Sequence, residues 1–318
     1  MNIKWQSNLN RLKLEHKKIY DLIGGDSVSY LDIPSHYNTG DLLIYMGTEK
    51  FFEDYSINVN YRALQSDIIL SEVEKNDVIL IHGGGNFGDL YLKHHRNREK
   101  LLLKFAHKKI IFMPQSIFFE DEGNIQKTKE FFSKLQRVTL LVRDTESYEL
   151  GLKLTSDVMY MPDMAHSLHP LVNSSEVVDI NKKTKKILNI ERNDLEASQE
   201  SRELIKRSFD WSDLCSSSDL IFNKIVNISK YIPVYKKSVL NLWLNQVKYN
   251  TCKAMHTVEL YDLIYTDRLH GFLLSYLLGK EVYLLDNTYG KISRYHKKWF
   301  SECDLITLKK NIEYKVIK

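Results

Sequence analysis

Residues 78–89 read Val78-Ile79-Leu80-Ile81-His82-Gly83-Gly84-Gly85-Asn86-Phe87-Gly88-Asp89. Four aliphatic residues in a row, closed at once by glycines, describe a strand buried on both faces that ends in a loop, with a helix predicted from about Asp89. Glycine is scarce, 13 in 318 residues, and four of the 13 fall in this short run. Proline marks similar ends: three of the five follow apolar runs, Pro34 after Tyr30-Leu31-Asp32-Ile33, Pro114 after residues 110–113 and Pro162 after residues 158–161. Helix-length stretches at 41–52, 89–106, 125–135 and 145–152 lie between those runs. Strand and helix therefore alternate, which predicts an α/β fold with a parallel sheet and helices on both faces.

The alternation pauses over residues 171–186, a polar stretch with Asn173-Ser174-Ser175 and Lys182, Lys183, Lys185 and Lys186, which reads as a linker. It resumes with strands at 186–190, 263–266 and 281–285 and helices near 220–228 and 269–278. The chain is accordingly expected to form two Rossmann-like domains, 1–175 and 176–318, whose strand ends face a cleft. Hydrophobic residues at 43% and charged residues at 27% exclude a disordered or fibrous chain. With 45 basic against 41 acidic residues the net charge is +4, which argues against a nucleic-acid partner and leaves small anions open. Cys215, Cys252 and Cys303 are widely spaced without a CxxC, so a reducing compartment is expected, and neither a disulfide framework nor a cysteine zinc site. No apolar run is long enough to span a bilayer, and no secretory signal is expected at the N-terminus. Trp5, Leu9 and Leu12 lie at helical spacing among Lys4, Arg11, Lys13, Lys17 and Lys18, a pattern of either a solvated surface helix or one lying on an anionic membrane.

Four strand-end constellations carry the chemistry. The glycine run with His82, Asn86 and Asp89 lets backbone N–H groups approach an anion or a sugar, although a tight turn explains part of it; it is neither GxGxxG nor a Walker sequence. Asn38-Thr39-Gly40-Asp41 follows the first strand and reads either as a binding loop or as a helix cap. Thr266-Asp267-Arg268-Leu269-His270-Gly271 sets a guanidinium suited to a carboxylate or phosphate beside an imidazole, an acid/base pair or, alternatively, a buried Asp–Arg pair. Asp286-Asn287-Thr288-Tyr289-Gly290-Lys291 adds a point charge one helix-and-strand step later, or simply a basic surface. Val142-Arg143-Asp144 and Pro162-Asp163 are weaker members of the set. HExxH, GxSxG and DxD are absent, so no metal and no cofactor is called for.

Taken in order, Asn38-Thr39-Gly40-Asp41, the run Gly83-Gly84-Gly85-Asn86-Phe87-Gly88-Asp89-Leu90-Tyr91, Met113-Pro114-Gln115-Ser116, Val142-Arg143-Asp144, Pro162-Asp163 and the last two motifs resemble the polysaccharide pyruvyl transferase family over about residues 30–300. The resemblance implies a glycosyltransferase-B-like pair of domains. It also implies transfer of the enolpyruvyl unit of phosphoenolpyruvate, the donor, onto a sugar of a surface polysaccharide or its lipid-linked precursor, closing a pyruvate ketal. It makes His270 the acid/base residue with Arg268 beside it, gives the donor anions to Arg143, Arg268 and Lys291, and gives the acceptor to Asn38, Asp41, His82, Asn86 and Asp89 in the first domain. The expected enzyme is cytoplasmic, in loose contact with the inner membrane face, and a homo-oligomer stays open. The alternatives from the residues alone are a nucleotide-sugar glycosyltransferase on the same fold and a sugar-binding relative without turnover.

Overall fold

A computed structural model describes residues 2–65, 67–173, 177–191, 209–229, 236–285, 290–300 and 303–308. The chain divides into two compact bodies: the first is Arg11–Leu168 with Cys215–Thr251, the second Met1–Asn10 with His169–Leu214 and Cys252–Lys318. This differs from the contiguous division at 175/176 in three places, the first being that the boundary falls after Leu168. Residues 215–251 return to the first body, because Val226, Val239, Trp243 and Val247 complete its core, and residues 1–10 join the second.

The described elements, in chain order, begin with α1 (Asn2–Glu15), α2 (Lys17–Ile23), β1 (Val28–Ile33), α3 (Thr39–Asp54), β2 (Val59–Leu64), α4 (Leu70–Glu74), β3 (Val78–Ile81), β4 (Gly84–Gly88), α5 (Leu92–Leu102) and β5 (Lys109–Phe118). They continue with α6 (Glu122–Phe132), β6 (Arg137–Val142), α7 (Thr145–Leu154), β7 (Val158–Tyr160), β8 (Ile187–Ile190), α8 (Ser217–Ser229), α9 (Lys236–Glu259), β9 (Leu263–Thr266), α10 (Leu269–Leu277), β10 (Glu281–Leu284), α11 (Lys291–Trp299) and β11 (Ile306–Leu308).

In the first body the strands run in the order β2-β1-β3-β5-β6-β7, with β4 paired to β5, and every pairing is parallel. Residue alternation sorts the two faces: Val78 and Leu80 enter one core with α2, α3, α8 and α9, while Ile79 and Ile81 enter the other with α5, α6 and α7. Each of these side chains contributes about 1.5–3 kcal/mol through burial. The glycine run departs from the expected loop. Gly84–Gly88 is itself a short strand pairing with β5, and α5 starts only at Leu92, after a single tight turn at Asp89–Tyr91.

The second body holds a parallel sheet in the order β11-β10-β9-β8. Its helices include α10, buried along most of its length, and the start of α1, whose Trp5 Nε1 donates to the Tyr276 carbonyl at 2.7 Å. Trp5, Leu9 and Leu12 are all buried, so the apolar stripe of α1 packs into protein and is not offered to a membrane. Among the described residues no helix is long and apolar enough to cross a bilayer.

Candidate active site at the strand ends

In the first body the chain winds outward from β1 to β2 and then returns to β3 on the other side of β1. Such a reversal opens a crevice at the carboxyl ends of the two strands, between the loops that leave them. The first connection enters α3 through Asn38-Thr39-Gly40-Asp41 and the second enters β4 through His82-Gly83, so topology brings the first two motifs together. Asn38 caps α3, its Oδ1 accepting from Gly40 N at 3.1 Å, and its Nδ2 donates to Asp41 Oδ2 at 3.0 Å. The other Asp41 oxygen lies 3.3 Å from where a Cβ of Gly84 would stand, an approach that the glycine permits.

His82 is buried, with Nδ1 2.5 Å from the Tyr30 hydroxyl and its carbonyl accepting from Gln115 Nε2 at 2.7 Å. Burial drives its pKa down to about 4, so the ring is neutral near pH 7. At the end of β1, Asp32 takes a positive φ of 68° and accepts from Arg98 Nε at 2.8 Å; His94 Nε2 lies 3.1 Å from the same oxygen. Burial pushes the Asp32 carboxyl up, but the Arg98 charge and the His94 contact outweigh it and hold it at about 2. Arg98 also donates to Asn86 Oδ1 at 2.7 Å, which ties α5 to the glycine run. Four buried polar atoms of this region, His82 Nε2, Gln115 Oε1, Asp32 Oδ1 and Arg98 Nη1, have no hydrogen-bond partner among the described residues. Buried polar groups are rarely left so, and a cluster of them at a strand-end crevice marks a place where a polar ligand or water belongs.

Arg143 and Asp89 are committed within the protein. Arg143 pairs with Asp163 and donates from Nη2 to the Gly84 carbonyl at 2.9 Å and to Ser116 Oγ at 3.0 Å, so it braces the glycine run. Asp89 accepts from the backbone of Glu120 and Asp121 at 2.8 and 3.0 Å and from Asn124 Nδ2 at 2.9 Å, which fixes the loop after β5.

In the second body Thr266 ends β9, and its hydroxyl accepts from Arg268 N at 3.0 Å. Arg268 Nη2 bonds the Asp210 carboxylate at 2.6 and 2.7 Å, and half-buried His270 stands in the first turn of α10. A Cβ on Gly271 would come 2.5 Å from Thr266 Oγ1, so glycine allows the helix that carries the imidazole to start against the strand end. Lys291 opens α11 after the adjacent strand β10, behind Gly290 in the left-handed region. Residues 286–289 of its motif, and 192–194 after β8, lie outside the described residues.

Sequence reasoning missed Asp32, Arg98 and Asp210. Asp32 had a signal, a charge inside an apolar run; Arg98 sits in the run Arg96-Asn97-Arg98-Glu99-Lys100, which is indistinguishable from a solvated helix face.

The chain matches the polysaccharide pyruvyl transferase family over residues 38–289. It is 33% identical over 296 residues to EpsO of Bacillus subtilis (strain 168), a candidate pyruvyl transferase, covering 91% of this chain and 90% of that one. It is 25% identical to Pyruvyl transferase 1 of Schizosaccharomyces pombe, covering 95% of this chain and 76% of the relative. Among solved structures, a functionally uncharacterized protein of Klebsiella pneumoniae, KP1_0663, shares the fold with a TM-score of 0.58 at 19% identity, covering 95% of this chain and 98% of that one. On the strength of that match across most of its length, the chain belongs to the polysaccharide pyruvyl transferase family.

Proposed function

We propose that the protein transfers the enolpyruvyl group of phosphoenolpyruvate to two hydroxyls of a sugar in a surface polysaccharide or its lipid-linked precursor. The observation that carries the reading is the turn from Thr266 to Gly271, a guanidinium and an imidazole two residues apart at one helix start, in a chain of this family. In the proposed reaction two C–O bonds form at the central carbon of the donor as its bond to the phosphate oxygen breaks. One hydroxyl proton ends on the methylene carbon, which becomes a methyl group, and the other leaves with the phosphate. His270 delivers the proton to carbon, and Arg268 and Lys291 hold the carboxylate and phosphate. Arg143, which the family resemblance gives to the donor, is held by Asp163, Ser116 and the Gly84 carbonyl and instead braces the glycine run beside the acceptor crevice. Asn38, Asp41, His82 and Asn86 line the acceptor crevice, and Asp89 shapes its rim. The reading requires both strand-end clusters to serve one pair of substrates, the glycosyltransferase-B-like arrangement that the family resemblance implies. Phosphoenolpyruvate is a cytoplasmic metabolite, which puts the reaction there.

The test is release of phosphate from phosphoenolpyruvate by the purified chain across a panel of acceptor glycans. Turnover with at least one glycan, abolished in His270→Ala with melting temperature unchanged, is the expected result. Glycosyl transfer from a nucleotide sugar without phosphate release from phosphoenolpyruvate would overturn it.

A further inference from the structure

Residues 215–251 carry none of the motifs, yet they are bolted to the loop that leads into one of them. Asn223 Nδ2 donates to the Ser35 carbonyl at 2.9 Å, Trp243 Nε1 to the Pro34 carbonyl at 2.8 Å, and the Tyr37 hydroxyl to the Asp219 carbonyl at 2.7 Å. The next residue after Tyr37 is Asn38. The inward face of α8 is thus accounted for, with Asp219 and Val226 buried.

The outward face is different. Ile221, Ile225 and Ile228 recur at helical spacing and are 59%, 54% and 66% exposed, with Leu220 beside them at 53% and exposed Lys224 in the same stripe. On α9, Leu242 and Tyr249, two turns apart, are also exposed, as is Lys248. From Ser217 to Glu259, the span of the two helices, the sequence holds two carboxylates, Asp219 and Glu259, against six lysines. Asp219 is buried, accepting from Ser216 Oγ at 2.7 Å and Gln246 Nε2 at 2.5 Å, and Glu259 ends α9 beside His256. An exposed aliphatic stripe of this size marks an interaction surface.

We infer that α8, with the adjoining exposed face of α9, docks the protein on a bilayer surface rich in anionic lipid. Aliphatic side chains enter the headgroup boundary while lysines meet the anionic headgroups, the composition of an interfacial helix. A second copy of this chain fits less well, since a symmetric contact would set the same lysines against each other. A protein partner also fits less well, because protein interfaces are enriched in tryptophan, tyrosine and arginine and depleted in lysine, and the α8 stripe is isoleucine, leucine and lysine. The consequence for catalysis rests on the proposed function: docking here holds the Asn38–Asp41 loop near the headgroups, where a lipid-linked sugar presents its hydroxyls.

The experiment is flotation of the full chain with vesicles of phosphatidylcholine alone or mixed with phosphatidylglycerol, without substrate. The chain should float with the anionic vesicles and be released by salt. Ile221→Asp/Ile225→Asp should lower that binding about tenfold, with circular dichroism and phosphate release on a soluble acceptor unchanged. Lys224→Glu is a second variant that leaves the aliphatic residues in place and should also weaken binding. Lys4→Glu/Arg11→Glu on α1 should leave it within about twofold, because the apolar stripe of that helix is buried. Failure of the wild type to float, full binding by the α8 variants, or a dimer in light scattering that Ile225→Asp dissolves would each overturn the inference. Since flotation uses no substrate, its failure leaves the transfer reading standing, and loss of transfer leaves the docking result standing.

Discussion

The two strand-end clusters use the same residue types to different effect. At the glycine run of the first body the tightest approaches are to backbone: a Cβ on Gly88, whose φ is +107°, would stand 2.0 Å from the Phe118 carbonyl oxygen, and one on Gly83 would stand 2.8 Å from that of Pro114. In the second body the obstacle beside Gly271 is the hydroxyl of Thr266, a side chain that can turn. Charges follow suit. Arg143 is 1% exposed and held by Asp163, Ser116 and Gly84, whereas Arg268 is 9% exposed and bound to Asp210. A carbonyl fixed in a ladder cannot yield, so the first edge is a rigid frame around the glycine run. The second keeps a rotatable hydroxyl beside the start of the helix that carries His270.

The largest consequence concerns the buried arginines. Asp163→Ala strands a guanidinium with almost no access to solvent and should cost about 3–5 kcal/mol in urea unfolding. Asp210→Ala should cost less, because Arg268 is less deeply buried, 9% exposed against 1% for Arg143. Equal losses would erase the distinction between the two edges.

Acid probes the core of the first body next. His16 and His82 both belong to the first body, and burial lowers each to about 4. Folded, they bind fewer protons than the unfolded chain between about pH 6.5 and 4, so their share of stability is complete above that window, lost on descending through it, and flat below. Each histidine should account for about 2 kcal/mol between pH 7 and pH 5. His82→Gln should flatten the slope of unfolding free energy over that range, whatever it does to the value at pH 7. An unchanged slope would mean that His82 is not held neutral in its pocket.

What could be read from the sequence follows the same line between local and distant causes. The strand at 78–81 was legible because four aliphatic residues before a glycine run admit few other readings, and the 263–266 strand was legible for a similar reason. Gly84–Gly88 reads as a loop in the sequence, since glycine has low strand propensity; its pairing is imposed by β5, about 30 residues away, and by nothing local. The return of residues 215–251 to the first body was illegible for the same reason, since no composition shift marks the place where α9 passes from one body to the other within a continuous helix. Of the candidate site, the motif residues are legible as sequence patterns, while the partners Asp32, Arg98 and Asp210 become visible only once distant segments stand side by side.

The smallest effect is also the sharpest probe of the second edge. Gly271 occupies a helical position, where alanine alone would gain about 1 kcal/mol over glycine. The new Cβ would meet Thr266 Oγ1 at 2.5 Å, and forcing the hydroxyl aside also disturbs its bond to Arg268 N, at a combined cost of about 2–3 kcal/mol. Gly271→Ala should therefore destabilise by about 1–2 kcal/mol in the wild type. Thr266→Ala removes the obstacle and, by itself, loses the bond to Arg268 N for about 1 kcal/mol. In that background Gly271→Ala meets only the Thr266 Cβ site at 3.3 Å and Ile190 Cγ2 at 3.4 Å, so the helix gain should show and the substitution become neutral or stabilising. The signature is a coupling of about 1–2 kcal/mol in a double-mutant cycle by urea unfolding. Strict additivity would show that something other than a rotatable hydroxyl sets the position of the helix that carries His270.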